Sequence, residues 1–144
     1  MEIISILSWS SLFIVLLFMS IEDIKTKSVP TFSFYLIFII IVIIGFKEDG
    51  QWNINRIFVM TVVFFLFYIF SQLFYLIKKE EGIGQGDIYL FALLAGLLGL
   101  HKTLYLIMLS SLLGLCSFIL SKEKRIAFIP CILIALFLVI TTIY

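Results

Sequence analysis

Along the 144-residue chain, apolar residues run in long blocks and polar residues gather in short clusters between them. The charges do not line amphipathic faces, so each block reads as an element surrounded by hydrocarbon. Crossing a bilayer core takes about 20 residues. The blocks predict spans near 3–20, 31–46, 57–77, 88–101, 103–120 and 126–144. Bilayer backbone must pair its N–H and C=O groups internally, and blocks this rich in Leu, Ile and Phe do so as helices. The expectation is an all-α polytopic membrane bundle of about six transmembrane helices, with five as the alternative count. The narrow break at His101-Lys102 predicts a tight hairpin of the fourth and fifth. Pro30 opens the second span, where its missing N–H costs nothing.

Composition excludes a soluble domain: 63% of residues are hydrophobic and only 13% charged, against an apolar share near half in soluble chains. A net charge of +1 carries no signal of a nucleic-acid partner; the partner that the composition implies is the lipid bilayer. Cys116 and Cys131 lie inside apolar runs, without a second Cys or a His at metal-ligand spacing, and read as packing residues. Only Glu2 precedes the first run, with no basic stretch or small-residue cleavage site, so that run is expected to be a retained span. No Pro/Gly/Ser-rich linker or internal repeat divides residues 1–144, which read as a single membrane-embedded domain.

The distribution of basic residues sets an orientation. Lys25, Lys27, Lys78, Lys79, Lys122, Lys124 and Arg125 fall in one set of loops and only Lys47, Arg56 and Lys102 in the other. The richer side is expected in the cytoplasm, leaving both termini outside. His101, the single histidine, then lies on the outer side.

With that orientation two carboxylates reach the same face. Asp23 closes the first span and Asp87 opens the fourth, 64 positions later, within "GIGQGD" at residues 82–87. A carboxylate bracketed by Gly84, Gly86 and the apolar Ile88-Tyr89-Leu90 run is costly to bury, which marks a candidate site. If Asp23 approaches it, the pair shares one proton. The ionised member then activates water while the protonated one polarises a carbonyl, and no metal or cofactor is required. Gly84 and Gly86, lacking Cβ atoms, are expected to adopt positive φ and admit an extended substrate backbone. The alternative is structural: a Gly-rich loop in which Asp87 caps the fourth helix.

These residues resemble the type IV prepilin peptidases, membrane aspartic proteases of the GxGD type. "DIKTKSVP", Asp23 to Pro30, is similar to the family's Asp, basic stretch, aliphatic residue and Pro. In "GQGDIYLFALLAGLLG", Gly84, Gly86 and Asp87 match GxGD, and Leu90, Ala92 and Gly99 fall where the family places Leu, Ala and Gly. "IAFIPCIL" resembles the final-helix segment, with Pro130 as its Pro. Two departures stand out: Tyr89 occupies a position where the family commonly has Lys, and residues 126–133 are poorer in Gly and Pro. Larger members carry paired CxxC motifs associated with methylation; this chain has none, so the resemblance implies a compact, cleavage-only form. It further implies Asp23 and Asp87 as the catalytic pair and a prepilin-like precursor with a class III signal peptide as substrate. That precursor has a basic leader, a Gly before the cut and a hydrophobic helix. Association with pilus or secretion machinery belongs to the same expectation.

Glu22, Glu80 and Glu81 flank the aspartates, either attracting the basic leader as substrate-binding residues or standing as solvated loop charges. Charge reversal at Glu80 and Glu81, with cleavage followed at low salt, separates the two: slower cleavage supports attraction and unchanged cleavage supports solvation. Two readings from other classes stand beside the peptidase. One is a small transporter or channel component binding protons or cations on the same carboxylates, against which their position at the membrane edge argues. The other is a structural subunit of a secretion or pilus machine.

Overall fold

The computed structural model describes residues 2–49, 54–79, 83–121 and 126–143. These form six helices: α1 (Glu2–Thr26), α2 (Thr31–Asp49), α3 (Ile54–Lys78), α4 (Gln85–Leu98), α5 (Leu100–Ser121) and α6 (Ile129–Ile143), with no strand among the described residues. The all-helical class agrees with the apolar-block pattern. Three helices are long and apolar enough to cross a membrane: Ile6–Thr26, Ile54–Ile77 and Leu100–Leu120. The apolar parts of α2, α4 and α6 are shorter, spanning Thr31–Phe46, Gln85–Leu98 and Ile129–Thr142.

Helix boundaries differ from the expected ones for local reasons. The first helix continues through Thr26, so Glu22 and Asp23 belong to it rather than to a following loop. It stops where Lys27 turns left-handed at φ 53° and donates its N–H to the Asp23 carbonyl at 2.9 Å. Pro30 then accepts the first bond of α2 from Ser33 at 3.0 Å.

The α4–α5 break falls at Gly99, not at His101-Lys102. Gly99 has φ 76° and ψ 170°, a region open essentially to glycine alone. Its N–H bonds the Ala95 carbonyl at 3.0 Å, and its own carbonyl accepts from the Thr103 N–H and hydroxyl at 3.1 and 2.7 Å. One residue therefore ends one helix and starts the next, which places His101 and Lys102 inside α5.

Helix contacts run α1–α2–α4–α5–α6 and back to α1, while α3 packs along α4. The core follows this ring: Leu12, Leu16 and Met19 of α1 join Ile37 and Ile41 of α2, Leu90 and Leu94 of α4, Leu106 of α5, and Ile132 and Leu136 of α6. Most of α4 is buried, from Ile88 to Leu97. The opposite holds for α3, whose Phe58, Leu66 and Leu76 are 66, 64 and 74% exposed. A helix apolar all round and open over most of its surface is matched to lipid. Ser20, Thr61 and Thr103 return their hydroxyls to carbonyls four residues earlier, at 2.7–2.8 Å, so these hydroxyls are satisfied inside the apolar helices.

Gly96 lets α3 lie close to α4: a Cβ there would collide with the Met60 side chain and meet the Arg56 carbonyl oxygen at 3.7 Å. Gly96→Ala is expected to lower stability in detergent by about 1–3 kcal/mol through overpacking. Adding Met60→Ala should recover part of that loss, as read from unfolding midpoints of the single and double variants.

Candidate active site

Asp23 sits in the penultimate turn of α1 and is 8% exposed. A carboxylate so buried needs a donor, and it finds one at the start of α6. The Ile129 N–H donates to Asp23 Oδ2 at 3.1 Å, across 106 positions of sequence, and the Phe128 backbone lies next to the same carboxylate. The Ile129 N–H is one that a helix start leaves without an intrahelical partner. Phe128 accepts the first α6 bonds on its carbonyl, from Cys131 at 3.0 Å and Ile132 at 3.1 Å. Its side chain cannot cap, and Pro130 has no N–H to be capped. Asp23 thus caps α6 from another helix, with the favourable sense of a negative charge at a helix N-terminus. The Lys27 charge lies within electrostatic reach of Asp23.

Asp87 lies in the first turn of α4, with its N–H on the Gly84 carbonyl at 3.1 Å. Gly84 is the residue preceding the helix and contributes no side-chain cap. Asp87 is therefore not the N-cap residue that the structural alternative required. Its carboxylate is partly exposed and close enough to Asp23 for the two to interact electrostatically.

The glycines act differently from the expectation. Gly84 has φ −61° and ψ 138°, an ordinary extended conformation, and Gly86 is not left-handed either. What they supply is room. A Cβ on Gly84 would stand 3.2 Å from Asp87 Oδ2, and one on Gly86 would stand 3.3 Å from Phe34 Cζ. Tyr89 packs in an aromatic cluster, its ring centroid 5.7 Å from that of Phe64 and 6.0 Å from that of Phe34.

Glu22 is half-buried on α1 beside Asp23, while Glu80 and Glu81 lie outside the described residues. The contribution of Phe128 and Ile129 went unread in the sequence. The available signal was negative: "AFIPC" starts an apolar helix without Ser, Thr, Asn or Asp to cap it.

Fold and acid pair together define an all-helical membrane protein with two carboxyl groups brought together at one site. Residues 10–119 match the model of the type IV leader peptidase family, a stretch that includes Asp23, Gly84, Gly86 and Asp87. The chain belongs to this family, whose members are leader-peptidase-type proteases. Comparison with curated proteins and with solved structures gave no match.

The unequal hydrogen bonding of the acids has a measurable consequence. Asp23→Ala strands the buried Ile129 N–H and should cost about 1–3 kcal/mol, whereas Asp23→Asn keeps an acceptor oxygen and should cost less. Asp87→Ala, which strands no donor among the described residues, is expected to be the milder alanine variant when unfolding is followed in detergent.

Proposed function

We propose that the protein is a membrane aspartic endopeptidase that cuts the basic leader from type IV prepilin-like precursors, with Asp23 and Asp87 as its acid/base pair. The observation that carries this reading is the approach of two acids, one from the end of α1 and one from the start of α4, inside the stretch that matches the family. In the ionised state one carboxylate removes a proton from water, and the resulting oxygen attacks the scissile carbonyl carbon. The protonated partner hydrogen-bonds the carbonyl oxygen as negative charge develops there. Protonation of the departing amine then breaks the C–N bond and returns the pair to its starting charge. Gly84 keeps the side of Asp87 clear for an extended substrate backbone, and Gly86 gives room to the Phe34 ring next to it.

Orientation follows from charge. Lys25 and Lys27 lie around the end of α1, beside Asp23, and Lys79 follows the end of α3 in the segment leading to α4. This side is assigned to the cytoplasm, with six crossing helices and both termini outside. A basic leader is retained on that side by the same rule, which brings the cut to the level of the acids. Helix length supports a recessed site: the 14 residues of α4 and 15 of α6 rise about 21 and 22 Å at 1.5 Å per residue. A hydrocarbon core of about 30 Å is thicker than either. Their N-termini, which hold Asp87 and the donor to Asp23, are thereby drawn below the membrane surface. Association with pilus or secretion machinery follows from the substrate class.

Co-expression with an epitope-tagged prepilin-like precursor tests the reading. Asp23→Asn and Asp87→Asn should each abolish the leader-sized mobility shift while the protein still accumulates in the membrane. Cleavage that persists in either variant contradicts the assignment. Loss of ion flux with processing intact would favour a transporter.

A further inference from the structure

Phe128 lies outside the stretch that matches the family, yet it touches both halves of the proposed site. The N–H of the next residue, Ile129, holds the Asp23 carboxylate at 3.1 Å, and the Phe128 backbone lies beside it. Its ring packs against Phe91 of α4, centroids 6.1 Å apart, and Phe91 stacks in turn on Phe67 of α3 at 5.2 Å. Phe91 is 2% exposed and follows Asp87 by four residues, on the same face of α4 one turn on. On its other side the Phe128 ring is seated against α5, where a Cβ on the buried Gly114 would come within 2.5 Å of Phe128 Cε2 and 3.0 Å of Cδ2. The ring is thus bounded by α4 and α5 while the main chain that follows it grips α1.

We infer that Phe128, seated on Gly114, is the positioning residue that sets how Asp23 faces Asp87. The inference rests on the peptidase reading and adds a residue pair that touches neither substrate nor the transferred proton. A side chain at position 114 pushes the ring out of its seat. The ring moves residues 128–129, and with them the carboxylate bonded to the Ile129 N–H. Displacement of about 1 Å at a reacting group costs on the order of 100-fold in rate, and the effect falls on turnover rather than on substrate binding. A smaller side chain at 128 makes room for the added methyl group, so the two positions are coupled and their effects do not multiply.

The test uses the full-length protein in liposomes with a synthetic tagged precursor carrying a basic leader, a Gly before the cut and a hydrophobic helix. Gly114→Ala, Phe128→Leu and the double variant are compared at equal amounts of inserted protein. Gly114→Ala should lower kcat about tenfold to 100-fold with KM within about twofold of wild type. The double variant should return to the kcat of Phe128→Leu alone. A Gly114→Ala protein with wild-type kcat, a loss confined to KM or to accumulation, or losses that simply multiply in the double variant would each overturn the assignment. Wild-type protein that leaves the precursor uncut would overturn the peptidase reading instead, and this proposal with it; that control keeps the two failures apart.

Discussion

The hydrogen bond from the Ile129 N–H to the Asp23 carboxylate joins two groups that would each be costly alone. A buried carboxylate needs donors, and the apolar start of α6 needs an acceptor that Phe128, Ile129 and Pro130 do not carry. Each satisfies the other across 106 positions of chain. First and last helices are thereby closed on one another at the acid itself, and the ring through α2, α4 and α5 brings Asp87 to the same place. A bond made for stability also holds one proposed catalytic carboxylate in a defined orientation.

The helices divide their tasks according to burial. The exposed apolar surface of α3 meets lipid, while α4, covered on most of its circumference, carries Asp87 on a helix that cannot shift without moving its neighbours. Small residues recur where α4 and α5 must receive a bulky partner, Met60 at Gly96 and Phe128 at Gly114. The separation between the acids is therefore a property of packing around the ring, rather than of the GxGD residues by themselves.

Helical class and the number of helices were legible from the apolar blocks, because hydrocarbon leaves the backbone few other ways to pair. The acids stood out because a carboxylate beside apolar residues is expensive. Boundaries were less legible. The first apolar block ends near residue 20, with Asp23 closing the span, yet the helix runs on to Thr26, since a polar residue does not itself end a helix and Pro30 is still some way off. The visible polar pair His101-Lys102 suggested a break that the backbone makes at Gly99, where positive φ is needed. At Gly84 the need is space beside Asp87, and a sequence cannot distinguish that from a need for conformational freedom. The role of Phe128 was hidden more deeply: the donor beside it is a backbone group, and its partners lie on three other helices. The short apolar parts of α2 and α4 were already visible in blocks 31–46 and 88–101, whereas the last block, 126–144, gave no sign that its helix begins only at Ile129.

The central claim is that Asp23 and Asp87 converge on one scissile bond while α6 holds Asp23 in place. The most direct measurement is an experimental structure in lipid nanodiscs with a peptide mimic of the precursor, its scissile amide replaced by a hydroxyethylene group. The account predicts the mimic's hydroxyl between the two carboxyl groups, with the Ile129 N–H still bonded to Asp23. A mimic bound elsewhere, or the two carboxyl groups on opposite faces of the bundle, would contradict it.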